Sequence, residues 1–591
     1  MKRKFVQIAA FCLSAALLLA SGGEKASAAS VQTASNDRII RVGLHYGTGA
    51  MEGLNLANEV GSGYRFGYYN SANQFVQLGA TGQTAISVVK TMNVYYGTYS
   101  SYTSYHSALT SSAIAVGEYH LQLPGTYSTF AAAQAASAGY AGGFPAYIDG
   151  VFYARIGNYT SRDGAVAAQS ALTAQGVATT IVGTSEYGIS VVVTKTNTIL
   201  FQYDDLGKGT GLGIEPGQGV AGEKCITLSY NCKYYGGFRF ERVNGGSLTV
   251  VNILGLEDYV KGVVATEMST SWPIEALKAQ AVAARSYALS LGTKHSSYHF
   301  DICYSVHCQA YTGQTNAGAN SNAAVDQTAG QVAMWNGRVA QTAYYSSNGG
   351  ASESSSTVWS GNQANYPYLV GKSDPYEASI DIDNDWTYSI SASSLAAKLR
   401  GIGYNGVGSA ITSIAVTSLT ESGNPKQVSF TDNNGKVFSL NSSEVVNMLA
   451  LRSYRYGFNA SAIPQPSSVS TPASSTSMSI NGTTTVNSTA GLYAIDGSGN
   501  VTAIGGDAYM VTNSGVTQIG QGSGGNTITG NGSIGNLSST TGQNGTFTFI
   551  GRGWGHNVGM SQFGAYAMAN MGYTYQEILQ FYYTGITVGY M

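Results

Sequence analysis

One acid in this chain stands where its surroundings would change its chemistry. Leu256 to Met268 reads as a short helix, and at about 100° per residue Leu256, Val260, Val263 and Glu267 share one narrow stripe. Three of these are apolar, as a core-facing stripe requires; Glu267 is not. A carboxylate on such a face is partly desolvated. Its neutral form is then favoured and its pKa rises, which is the condition for a general acid near neutral pH. The other reading ends the helix before Glu267 and leaves the carboxylate exposed at its C-terminus. Glu257 and Asp258 point away from the stripe and read as solvated first-turn residues that favour the helix dipole.

A second constellation lies downstream. His299, Cys303, His307 and Cys308 fall within ten positions. Two imidazoles and two thiols match a tetrahedral zinc set, although adjacent His307 and Cys308 must both turn inward. The same thiols have another use. Cys225, Cys232, Cys303 and Cys308 are an even set, and in an oxidising compartment they read as two local disulfides, Cys225–Cys232 and Cys303–Cys308. Spacing leaves zinc and disulfide equally open.

The elements that must position these groups follow. Trp272 precedes a second helix with Pro273 at its first position and Glu275 in its first turn. Ile274, Leu277, Ala281 and Ala288 form its buried face, and the alanines allow close packing against the preceding helix. Arg285 and Tyr287 are either surface residues or the lining of a cleft beside Glu267.

At these residues the chain resembles the stage II sporulation protein D family (SpoIID/LytB). The resemblance rests on six blocks in order. Gly255-Leu256-Glu257-Asp258-Tyr259-Val260-Lys261-Gly262-Val263-Val264-Ala265-Thr266-Glu267-Met268 is the first. Ser271-Trp272-Pro273 and the run from Leu277 to Tyr287 continue it, followed by Cys308-Gln309-Ala310-Tyr311, Tyr344 to Gly350, and Gly551 to Ala565. It covers about 230–591, apart from an insertion near 464–546. Catalytic members of that family are lytic transglycosylases acting on peptidoglycan glycan stripped of stem peptides. The resemblance implies that Glu267 serves as acid and then base, and that Arg285, Tyr287, Gln309, Ser346, His556 and Gln562 contact sugar or the transition state. His556 and Gln562 lie in a Gly-rich strip where backbone can approach a ligand, or which is simply a tight turn. Some relatives carry zinc before the Cys-Gln block, which moves His299, Cys303, His307 and Cys308 towards a structural zinc. Other members are described as enhancers of a wall amidase, which implies glycan or partner binding without cleavage. Two positions depart from the pattern: Ser269 where Pro often follows Glu-Met, and Asn557 where Gly usually follows His. Asn tolerates a left-handed backbone, but its side chain would intrude into the space left by Gly.

Composition agrees with an exported wall protein. At 591 residues the chain exceeds one ordinary domain of roughly 100–200 residues. Charged residues are 10%, and 29 basic against 31 acidic residues give a net charge of −2. This excludes a nucleic-acid binder that works by phosphate neutralisation. Met1-Lys2-Arg3-Lys4, the apolar stretch Phe5 to Ala20 and Ala26-Ser27-Ala28 predict a signal peptide over 1–28 and a secreted, cell-envelope location.

The expected class is α+β and multidomain. Residues 37–91 read as β-rich and 92–115 as a Tyr/Ser/Thr linker. Residues 118–195 read as βαββαβ, with a hairpin around Asp149-Gly150 and helices opening after Gly125-Thr126-Tyr127-Ser128-Thr129 and Gly157-Asn158-Tyr159-Thr160-Ser161. That module resembles the SPOR domain, which implies binding to peptide-free glycan strands. Residues 196–463 and 547–591 form the two parts of a β-rich SpoIID-type domain. Residues 464–546 form a Ser/Thr/Gly/Asn-rich insertion with hairpins.

Overall fold

The computed structural model describes residues 38–591 except 100–101, 109–112, 218–223, 293, 360, 381, 383 and 544; between 459 and 538 it describes six short strands. The expected signal peptide and most of the 464–546 insertion lie outside the described residues. The class is α+β and strand-rich.

The strand Ile39–His45 pairs antiparallel with Thr249–Gly255 and parallel with Ile302–Cys303. It therefore sits between the strand that feeds the Glu267 helix and the strand that carries the cysteine cluster. Gly43 permits this, because a Cβ there would lie 2.3 Å from the Phe300 ring. Gly237–Glu241, Leu212–Pro216, Tyr64–Tyr69 and Phe75–Thr81 complete a seven-stranded sheet.

A ten-stranded sheet lies alongside in sequence. Four of its strands follow the order Thr180–Val182, Tyr119–Gln122, Val151–Tyr159, Gly143–Ile148, every neighbour antiparallel. With helices Phe130–Ser137 and Arg162–Ala174 this is a βαββαβ unit. Asp149 (φ 48°) and Gly150 (φ 88°) make the left-handed two-residue turn of its hairpin. Thr129 and Ser161 cap the helices by accepting from Ala132 N and Gly164 N, each at 3.1 Å. The sheet does not stop at the unit. Gly143–Ile148 pairs in parallel with Ile199–Asp204, and the sheet runs on through Ile189–Val193, Ala85–Lys90 and Gly53–Val60.

The expected linker at 92–115 is corrected. Val94–Tyr99, Tyr102–His106 and Ile114–Val116 form a three-stranded sheet that buries Val94, Tyr105 and Val116. Two valines and a tyrosine form the buried face, while tyrosine, serine and threonine fill most of the other strand positions.

Helix Leu256–Glu267 begins where strand Thr249–Gly255 ends, and helix Ile274–Ser290 packs on it. Pro273 is the N-cap, one position earlier than expected, and Ile274 opens the helix. Ala276, Ala279, Ala281, Ala283 and Ala284 are fully buried, so small side chains bring the helices close. The chain end returns to this layer. Thr546–Arg552 pairs with Asp385–Ser391, Thr587–Tyr590 with Gln331–Trp335, and Met560–Ser561 with Tyr344–Tyr345.

Candidate active site

Glu267 is the last residue of its helix, and Met268 turns to extended backbone. The helix thus reaches the acid but goes no further, and the side chain is half-buried at its end. Oε1 accepts the Ala310 amide at 3.0 Å and Oε2 accepts Gln562 Nε2 at 3.2 Å. Burial raises the carboxyl pKa, and these two donors oppose the shift without cancelling it. No second carboxylate perturbs it among the described residues.

Its neighbours form a hydrogen-bonded shell. Gln309 is 2% exposed; its Oε1 accepts from Tyr259 Oη at 2.9 Å. Its Nε2 donates to Ala284 O at 3.1 Å and to Tyr344 Oη at 2.9 Å. Gln309 is therefore a brace, not a sugar contact: its buried side chain anchors the chain beside Ala310, whose N–H donates to Glu267. Tyr344 feels the Glu267 charge and titrates far above the usual phenol range, chiefly from burial. The Tyr287 ring lies 6.3 Å from that of Tyr344, and burial pushes its phenol up to about 12.

Ser346 and Gln562 come together through strand pairing. Ser346 O accepts Phe563 N at 3.0 Å, which seats the start of helix Gln562–Asn570 beside the Tyr344–Tyr345 strand. His556 lies on the same strip, its ring 5.3 Å from Tyr345 and 5.4 Å from Trp359. Burial pushes its pKa down to about 4, and Nδ1 accepts Val558 N at 3.1 Å. It is a neutral imidazole, suited to hydrogen bonding and not to charge stabilisation.

Several expectations are corrected. Arg285 is not in the cleft. It is 1% exposed and grips Glu257 with Nε at 2.8 Å and Nη2 at 2.6 Å, while Nη1 donates to Gln331 O at 2.9 Å. Glu257 and Asp258 are not simply solvated either, since Asp258 is buried and paired with Lys224. Asn557 has φ 61° and is fully buried; its Nδ2 donates to Asn348 O at 3.2 Å and Ala351 O at 3.4 Å. The amide does not intrude. It ties two loops.

The residue missed in the sequence is Glu377. It is 2% exposed and accepts from Ser347 Oγ at 2.5 Å, Asn348 N at 2.9 Å, Gly349 N at 2.9 Å, Asn384 Nδ2 at 3.0 Å and Ser561 Oγ at 2.7 Å. One buried carboxylate thus clamps the loop after Ser346 to the residue before Gln562. The available signal was Asp374-Pro375-Tyr376-Glu377, an Asp-initiated turn in which Tyr376 N donates to Asp374 Oδ1 at 3.1 Å.

The Cys/His cluster closes with His295, not His299. His295, Cys303, His307 and Cys308 each offer a ligand atom, all within 4.8 Å of one another. His299 sits at φ 63° after a turn and faces the other way, its Nδ1 2.7 Å from Glu241 Oε1. Sulfur and nitrogen ligands of a tetrahedral zinc, at about 2.3 and 2.1 Å from the ion, stand roughly 3.4–3.7 Å apart. Here His295 Nε2–Cys308 Sγ is 3.3 Å, Cys303 Sγ–His307 Nδ1 3.6 Å and Cys308 Sγ–His307 Nδ1 3.7 Å. The donor set fits such an ion. Cys225, Cys232, Cys303 and Cys308 are all free thiols.

A helix pair carrying one half-buried acid, braced by a returning Gly-rich strip, defines a single-carboxylate site. Residues 244–335 match the family model SpoIID, described as Stage II sporulation protein, and this segment of the chain is a domain of that family. It is 30% identical over 334 residues to the "Amidase enhancer" of Bacillus subtilis (strain 168), covering 56% of this chain and 40% of that protein. It is 29% identical over 358 residues to an uncharacterized protein of Brachyspira hyodysenteriae, covering 60% of this chain and 72% of the relative. The "Stage II sporulation protein D" of Bacillus subtilis is 28% identical over 142 residues, 22% of this chain and 40% of its own length. The match therefore spans about two fifths of each Bacillus relative.

Proposed function

We propose that this protein is an exported lytic transglycosylase that cuts peptidoglycan glycan strands lacking stem peptides. The observation that carries the reading is Glu267: one half-buried carboxyl with a raised pKa, donors on both oxygens and no carboxylate partner among the described residues. An ordinary glycosidase needs two carboxylates. Here one suffices, because the sugar supplies its own nucleophile. Glu267 gives its proton to the glycosidic oxygen as the C1–O bond breaks. The 6-hydroxyl of the same muramyl residue bonds to C1, and its proton returns to Glu267. The products are a 1,6-anhydro end and a free hydroxyl, with no water consumed. Gln562 can serve both states: its amide N–H donates to the carboxylate, and after a half-turn its carbonyl accepts from the acid.

Tyr287, Ser346 and His556 are proposed sugar contacts around this acid. His295, Cys303, His307 and Cys308 are proposed ligands of a structural zinc. Bound there, the ion would cross-link the loop that leads into Gln309 and Ala310, with no part in the bond cleavage. Metal quantification should find one zinc per chain, absent in Cys303→Ser. Zinc-free protein with a Cys303–Cys308 disulfide would refute the assignment. The βαββαβ unit is proposed to hold the same glycan, raising local substrate concentration.

The likeness to an amidase enhancer favours a second reading, in which the site binds glycan or a wall amidase without cutting. The test is incubation of the parent and Glu267→Gln with peptide-free strands, with products read by mass spectrometry. 1,6-Anhydromuramyl ends from the parent alone support cleavage. Binding without product from either protein supports the enhancer reading.

A further inference from the structure

Among the five tryptophans of the chain, Trp359 and Trp554 are the exposed ones, at 41% and 57%. They belong to different segments, a short helix Ser355–Trp359 and the Gly-rich strip that also carries His556. Exposed indoles cost solvation; Trp359 meets the His556 ring at 5.4 Å and Trp554 lies two residues before His556 on the same strip, so the two mark a patch that calls for a ligand. Their setting is built, not loose. Trp554 exchanges both backbone hydrogen bonds with Ser347, at 3.1 and 2.8 Å, and Gly555 N donates to Arg452 O at 2.8 Å.

Arg452 completes the patch. Its guanidinium lies 4.8 Å from the Trp554 ring centroid, and among the described residues no carboxylate pairs with it. A stacked guanidinium keeps its in-plane N–H fork free, the geometry that binds a carboxylate bidentately. The patch also continues the site already described. Ser347, which registers Trp554, is three residues after Tyr344, a span of at most about 10 Å of extended chain. That is the scale of one disaccharide.

We propose that Trp359, Trp554 and Arg452 form a second subsite of the glycan groove, which recognises a sugar bearing a free carboxylate. The indoles take the C–H face of a pyranose, whose hydrogens meet the electron-rich ring face. Arg452 takes the carboxylate. The inference rests on the proposed function for its substrate. In a strand without stem peptides the lactyl ether of each muramyl residue ends in a free carboxylate, whereas an attached peptide converts that group to an amide. Arg452 would thus read the absence of the peptide directly.

The test uses the full chain carrying Glu267→Gln, so that binding is read without turnover. Two probes are compared by calorimetry: peptide-free glycan oligosaccharides, and the same oligosaccharides with their lactyl carboxylates converted to amides. The expected result is binding about five- to tenfold tighter to the free acid, falling as salt rises. Arg452→Gln should remove that preference, and Trp359→Ala should weaken both probes alike. Equal affinity for the two probes overturns the proposal without any mutation, as does a preference that survives Arg452→Gln. So does loss of binding to an amidase, and not to glycan, in Trp359→Ala. The two readings fail separately. Absence of anhydro product from the parent defeats cleavage and leaves the subsite standing, while cleavage without carboxylate preference does the reverse.

Discussion

Glu267 owes its chemistry to a balance that can be measured. Burial favours its protonated form, and Ala310 N–H and Gln562 Nε2 favour the carboxylate. Because the folded pKa lies above the unfolded one, the native state holds the proton more tightly. Its contribution to stability therefore declines as pH rises through the interval and is level above it. Glu267→Gln removes this penalty. Its melting temperature relative to the parent should rise from about pH 4 to pH 7, while activity falls about 10²- to 10⁴-fold. A difference that shrinks with rising pH would contradict the sign. Removing one donor should move the balance the other way. Gln562→Leu raises the Glu267 pKa further, so the alkaline limb of the pH–rate profile shifts upward, with a rate loss of about tenfold or more.

At the scale of elements, two short helices and a returning strip carry the site, and Arg285 is what locks the helices. It joins the first turn of Leu256–Glu267 to the edge of Gln331–Trp335. Arg285→Met should lower stability by about 2–4 kcal/mol, with KM of the folded fraction unchanged. A raised KM at full stability would restore Arg285 to the cleft. Helical periodicity singled out Glu267 as a polar residue on an apolar stripe but left open whether the helix ends before it; the helix ends on Glu267 itself. It could not find the roles of Arg285 and Gln309, because which buried partner a polar side chain meets depends on elements up to 50 residues away. His299 and His295 exchanged roles for a local reason. The turn at Ser296–Tyr298 ends in a left-handed His299, which points that ring at Glu241 and leaves His295 facing the thiols. Spacing counts residues and does not see such a reversal. The strands of 92–115 were hidden by composition, with tyrosine and serine where valine and isoleucine give the usual signal.

At the scale of the molecule, the boundary drawn at 195 falls between two paired strands, Ile189–Val193 and Ile199–Asp204. The βαββαβ unit shares its sheet with residues far before and after it. Cutting the chain at 195/196 would leave a row of unpaired backbone groups along Ile199–Asp204. Both fragments should be insoluble or aggregated when expressed separately. A soluble 196–591 fragment with undiminished activity would show that the sheet can be divided there. The βαββαβ unit and the Glu267 site are thus parts of one folded body, so any tethering between them is stiff.

The most direct measurement asks where the new sugar end gets its oxygen. Peptide-free glycan strands are digested by the parent protein in water enriched in heavy oxygen, and the fragments are weighed. If Glu267 returns the 6-hydroxyl to C1, the cut ends are anhydro sugars without the label. Labelled reducing ends would mean that water is the nucleophile and that one carboxyl does not suffice.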